Sequence, residues 1–183
     1  LAADALQAPP LVHQRGLTLL YLGHLIDFKG YEDVLGAARL ASEQGLPHRF
    51  IVCGRRPTGT RQGPEDFVRK HGLKNLEYRG EVQGPAKLAA FREANVFALP
   101  SRYEGQPIAI LEAMHYGLPV LTTDAGGIPD IVRDGHEGLR IVHGDAASLL
   151  GAMERLAGDS ALFGDISRHN REVAQQRYTE DAH

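Results

Sequence analysis

Residues 96–114 read Val96-Phe97-Ala98-Leu99-Pro100-Ser101-Arg102-Tyr103-Glu104-Gly105-Gln106-Pro107-Ile108-Ala109-Ile110-Leu111-Glu112-Ala113-Met114. The first four residues are uniformly apolar and stop at Pro100, as a buried strand does. From Ile108 onward the apolar density fits a helix packed on a core. Strand, tight loop and helix therefore follow one another, with two acids, Glu104 and Glu112, eight positions apart. In an open parallel sheet, ligand sites lie outside the carboxyl ends of the strands, which is where this loop falls. Pro107 is expected at the first helical position, where its fixed φ is suited. The amides around it are expected to be unpaired donors at the positive end of a helix dipole. Such an end holds phosphate. Glu112 falls among Ile108, Ile110, Leu111, Ala113 and Met114, where an acid is costly unless hydrogen-bonded. Ribose or sugar hydroxyls would satisfy it, and so would protein backbone. Glu104 lies off the apolar period. Hydroxyls for the acids and phosphate for the helix start are the two parts of a nucleotide-sugar.

Outward from this stretch the same alternation repeats. Thr18–Gly23, His48–Cys53, Asn75–Tyr78, Asn95–Leu99, Leu118–Thr122 and Gly138–Val142 read as strands. Tyr31–Gln44, Pro64–His71, Pro85–Ala94, Ile108–Tyr116, Ile128–Arg133, Ala146–Leu156 and Ser160–Tyr178 read as helices, with Gly164 weakening the last. Short strands alternating with helices across Gly-marked turns mean βαβ units and a parallel sheet covered on both faces. With right-handed crossovers the fold is α/β, a Rossmann-like doubly wound sheet. Residues 1–16, with Pro9-Pro10, read as a linker, and 17–183 as the domain. Residues 55–64 form a polar insertion carrying Arg55, Arg56 and Arg61, either a solvated loop or a grip on substrate or partner.

The chain has 183 residues, 43% hydrophobic and 23% charged, enough for one domain with its own core. A net charge of −3 argues against nucleic acid as partner. The single Cys53 lies in an apolar strand, which excludes an internal disulfide and fits a buried thiol in a reducing cytosol. No apolar run reaches the ~20 residues that cross a bilayer. Leu1–Gln7 lacks the basic flank of a signal peptide. The histidines show no metal-ligand spacing, so no metal or other cofactor is expected. His115 either lines the pocket or only neighbours it. Asp124 either caps the next helix or reaches the cleft.

The motif Pro100-Ser101…Glu104-Gly105-x-Pro107…Leu111-Glu112-Ala113-Met114-x-x-Gly117-x-Pro119-Val120 resembles the E-x7-E region of family 4 retaining glycosyltransferases of GT-B fold. So do Gly126-Gly127-Ile128-Pro129-Asp130-Ile131-Val132-x-Asp134-Gly135-x-x-Gly138 and Tyr21-Leu22-Gly23-His24…Lys29-Gly30. The resemblance runs from about residue 18 to 178 and is to the C-terminal, donor-binding domain alone. It implies that the N-terminal acceptor domain is absent and that the chain is a fragment of a longer hexosyltransferase-type enzyme. The fragment would bind donor without transferring sugar.

Residue by residue, the resemblance implies that Glu112 takes the ribose hydroxyls and that Glu104 faces the donor sugar at the reacting centre. Lys29 would neutralise phosphate, and the amides of Gly105, Gln106, Pro107 and Ile108 would surround sugar and diphosphate. Arg79, Gly80 and Val82 fall in the loop that meets the base through backbone groups. Gly23 and His24 fall at the phosphate turn, where the family often has Arg in place of His24. A neutral imidazole lacks the charged fork of an Arg. The implied partners are a nucleotide-sugar and a carbohydrate or lipid-linked acceptor, in a cytoplasmic enzyme peripheral to the inner membrane face that builds polysaccharide or glycolipid. The alternatives are a nucleotide-sugar sensor or interaction domain, and a glycoside hydrolase using the two glutamates. Lys29 and a phosphate-ready helix start argue against the hydrolase.

Overall fold

The computed structural model describes Ala5 and residues 8–56, 63–105 and 107–180, with the side chains of the last helix described through 176. Six strands form one parallel sheet: β1 Thr18–Leu22, β2 Arg49–Cys53, β3 Leu76–Tyr78, β4 Val96–Leu99, β5 Val120–Thr122 and β6 Gly138–Arg140. Their spatial order is β3-β2-β1-β4-β5-β6. That is the doubly wound Rossmann order, with its switch point between β1 and β4. In register, Leu19 faces Phe50 on one side and Val96 on the other.

The helices are α1 Tyr31–Glu43, α2 Pro64–His71, α3 Gly84–Glu93, α4 Ile108–His115, α5 Ala146–Gly158 and α6 Ser160–Glu180. Helix α1 packs on α2 and α5, and α4 packs on α6, so both sheet faces are covered. The strands are accordingly apolar on both sides. Leu19, Leu20, Tyr21, Phe50, Ile51 and Phe97 are all buried. Phe91 of α3 stacks on Tyr116, the C-cap residue that ends α4, with ring centres 5.1 Å apart. Helix α6 continues through Gly164 without a break. Among the described residues no helix is long and apolar enough to cross a membrane.

The expected helix at Ile128–Arg133 is instead a single 3-10 turn, Ile128–Asp130. The Arg133 amide donates to the Glu137 carboxylate at 2.8 Å, which takes it away from a helical carbonyl. The described part of the expected linker lies against the domain. Arg171 of α6 donates to the Ala8 carbonyl at 2.9 Å and to that of Pro9, and His13 Nε2 lies 3.1 Å from the Ala157 carbonyl. Most of the polar insertion, including Arg61, lies outside the described residues. Of its flanks, Arg56 pairs with Glu65 at 3.7 Å.

Candidate functional site

The switch point sets the loop after β1 beside the loop after β4. The two are tied directly, since the Arg102 amide donates to the Phe28 carbonyl at 2.7 Å. Gly30 closes the first loop at φ 70, a conformation that L side chains rarely adopt, and a Cβ there would collide with the Pro100 carbonyl. The second loop is braced from β5. Thr122 Oγ1 donates to the Leu99 carbonyl at 2.8 Å and Thr123 Oγ1 to that of Ser101 at 2.5 Å. Gly126, at φ 54, sits where any Cβ would strike the Glu104 carbonyl, and the Gly127 amide donates to that carbonyl at 3.2 Å. The paired glycines therefore support the loop that carries Glu104.

A pocket of about 460 Å³ opens here. Gly23, His24 and Lys29 line it from the β1 side, with Cys53, Gly54 and Arg55 after β2 and Glu81 and Val82 after β3. Lys87 of α3 lines it too, and Glu104, Pro107, Ile108, Ala109 and Glu112 complete it. Volume does not single it out, because hollows of about 500 and 620 Å³ occur elsewhere on the surface. Its chemistry does. Lys29 Nζ donates to Glu104 Oε1 at 2.6 Å, and Ser101 Oγ donates to the same oxygen at 2.9 Å. The Glu104 side chain is 6% exposed. At the other end Lys87 Nζ donates to Glu112 Oε1 at 2.6 Å, with side-chain exposures of 24% and 16%. Two acid–lysine pairs thus share one pocket beside the start of a helix.

Lys29, Glu104 and Glu112 come together as the sequence suggests, with Gly23, His24, Val82, Pro107 and Ile108 around them. Gly105 lies against this loop, its carbonyl facing Gly127. Gln106 lies outside the described residues. Pro107 stands one position earlier than expected, as N-cap at φ −81 and ψ 72, with its carbonyl accepting from the Ile110 amide at 2.9 Å. The amides of Ile108 and Ala109, in the first turn, have no carbonyl four residues back within the helix.

The Arg79 side chain is engaged elsewhere, while the backbone contact expected of this loop does not depend on it. Its guanidinium is held by Glu77 at 2.8 Å and by Glu93 at 2.6 Å, and it does not line the pocket. Hydrogen bonds to Glu77 and then Glu93 push its pKa up. Gly80 contributes its carbonyl to the Gly54 amide at 2.7 Å, which fixes the floor without lining the pocket. His24 lines the pocket at the turn after β1, and its carbonyl takes the Tyr21 hydroxyl at 2.8 Å. Cys53 is fully buried, and burial pushes its thiol up to about 11, so it is no nucleophile. His115 does not line the pocket, and its Nδ1 turns back to the Leu111 carbonyl at 2.8 Å. Asp124 neither caps nor enters the cleft; it pairs with Arg140.

Lys87, Glu81 and Arg55 line the pocket and carry charge, and of these only Arg55 was singled out by sequence. Lys87 did leave a signal. It is the fourth residue of α3, near the helix end that disfavours cations. Among the described residues no group of three or more His, Cys, Asp or Glu is placed to hold a metal ion.

The family model for glycosyl transferases group 1 matches residues 16–159. Among curated relatives, glycogen synthase of Mycobacterium tuberculosis is 30% identical over 165 residues, covering 89% of this chain and 38% of that protein. The chain spans about two fifths of the length of the curated relatives it matches, 41% of the first. Among solved structures, the C-terminal domain of a glycosyl transferase group 1 protein from Francisella tularensis superposes with a TM-score of 0.79 at 19% identity, covering 96% of this chain and 97% of that one. HepE of Anabaena, solved with UDP and glucose, gives the same TM-score at 20% identity, covering 89% of this chain and 44% of that one. The sheet order, the glycine-braced loop and the match over most of the chain agree, and the chain belongs to the glycosyl transferases group 1 family.

Proposed function

We propose that this chain is the donor-binding half of a retaining, hexosyltransferase-type glycosyltransferase that takes sugar from a nucleoside diphosphate. The observation that carries the reading is the Lys29–Glu104 pair at 2.6 Å, set at the switch point beside the exposed first turn of α4. A diphosphate offers Lys29 and the Ile108 and Ala109 amides more negative charge than one carboxylate does. Its arrival draws the ammonium away and leaves Glu104, still held by Ser101, facing the sugar. As the glycosidic bond breaks, charge gathers on the departing diphosphate. Fixed donors aimed at that charge stabilise the transition state. Glu112 takes the ribose hydroxyls, and the backbone around Val82 meets the base. The chemistry runs without a metal, with Lys29 and the helix start as the counterions.

The acceptor, a carbohydrate or lipid-linked group, binds a second domain across the cleft. The whole enzyme works in the cytoplasm, peripheral to the inner membrane face, in polysaccharide or glycolipid assembly. Calorimetric titration of the chain with UDP, GDP and ADP tests the reading. Saturable binding of at least one is expected, and no heat from any at millimolar ligand would overturn it.

A further inference from the structure

We propose that Lys87 is a positioning residue for the ribose end of the pocket: it holds Glu112 so that one carboxylate oxygen remains for a ribose diol. The inference rests on the donor-binding reading above and concerns a residue that reading does not use. Glu112 stands on a helix whose Ile110, Ala113 and Met114 are buried, and its own side chain is 16% exposed. A carboxylate so placed needs a partner to keep its charge and its rotamer. Lys87, reaching across from α3, supplies both through Oε1 alone. An ionised carboxylate has roughly four acceptor sites on its two oxygens, so the lysine leaves most of that capacity free.

Helix stability does not account for this lysine. At the fourth position of α3 the helix dipole opposes it, whereas a lysine that served the helix would stand in the last turn. Nor is the pair an ordinary surface bridge. Arg39–Glu43 on α1 is one, with exposures of 39% and 53% and i,i+4 spacing within a single helix. Lys87 and Glu112 join two helices, are both less than a quarter exposed, and line the same pocket as Lys29 and His24.

The test is calorimetric titration of the 183-residue chain and its variants with the tightest of UDP, GDP and ADP and with its 2′-deoxy form. Wild-type protein should bind the deoxy form roughly tenfold more weakly, the scale of one hydrogen bond to a charged group. Lys87→Gln should weaken the ribo form about fivefold and leave the deoxy form nearly unchanged, so that discrimination collapses. Lys87→Arg should restore it. Glu112→Gln should lose the same discrimination, and adding Lys87→Gln to it should cost nothing more. Thermal melts establish that each variant is folded, and Lys87→Ala serves should the glutamine variant not be. Equal weakening of both ligand forms, no change in either, or additive losses in the double variant would overturn the role of Lys87 alone. Failure of the wild type to bind any of the three nucleotides would instead remove the donor-binding reading.

Discussion

Glu104 and Glu137 are both buried acids close to strand ends, yet they are held in opposite ways. Glu137 is saturated. It takes the Arg133 amide at 2.8 Å, two nitrogens of the Arg133 guanidinium and His169 Nε2 at 2.8 Å, spread over both oxygens. Glu104 has one lysine and one hydroxyl, both on Oε1, and it faces a pocket. An arginine fork fixes geometry, whereas a lysine is a point charge on a flexible stem that another anion can draw off. On the proposed function, the difference separates an acid that holds the fold from an acid that waits for a ligand. Exchanging each in turn should therefore move different observables.

The largest effect should come from Glu104→Gln in an enzyme that carries this chain together with the proposed acceptor domain. Sugar transfer should fall roughly a hundredfold or more, the scale of removing one electrostatic contact from a transition state, while the melting temperature hardly moves. A variant that melts early instead would place Glu104 with the fold-holding acids. Glu137→Gln should do the reverse, costing about 2 kcal/mol in denaturant unfolding with nucleotide affinity unchanged. Its pH dependence follows. Burial raises the Glu137 pKa, but hydrogen bonds from Arg133 and His169 outweigh that and carry it down to about 2. The stabilisation is complete above the ordinary value of 4.5 and is lost as pH falls toward 2. Unfolding followed between those limits should lose this component in wild type and lack it in the glutamine variant.

The smallest effect should be that of Arg79→Ala. Its pairs with Glu77 and Glu93 lie on the surface, so stability should change by about 1 kcal/mol or less and nucleotide affinity not at all. A clear loss of affinity would mean that Arg79 leaves its glutamates for the base, and the line between the two kinds of cluster would blur.

Much of the fold was legible because its signals are local. Uniform apolar runs such as Val96–Leu99 mark strands buried on both faces, and a left-handed Gly72 marks the end of α2, whose predicted range Pro64–His71 is the observed one. Ile128–Arg133 misled because its apolar spacing suits a helix, while the contact that ends it comes from the side chain of Glu137 further along. The site divides in the same way. Lys29 and Glu104 sit in motifs with loops of their own. The partner of Glu112 lies 25 residues away on another helix, a distance that no periodicity encodes. Half of the Arg79 cluster lies close in sequence, since Glu77 in β3 and Arg79 just after it are two positions apart, but Glu93 arrives only with the fold.

On the donor-binding reading, Lys29 is lent to Glu104 until a diphosphate takes it. Titration of wild type and Lys29→Met with a nucleoside diphosphate and with the same nucleoside lacking phosphate separates this from a fixed ion pair. The expected result is a roughly tenfold or greater loss for the diphosphate on removing the ammonium, with the nucleoside bound equally by both proteins. Equal affinity of the two proteins for the diphosphate would contradict it.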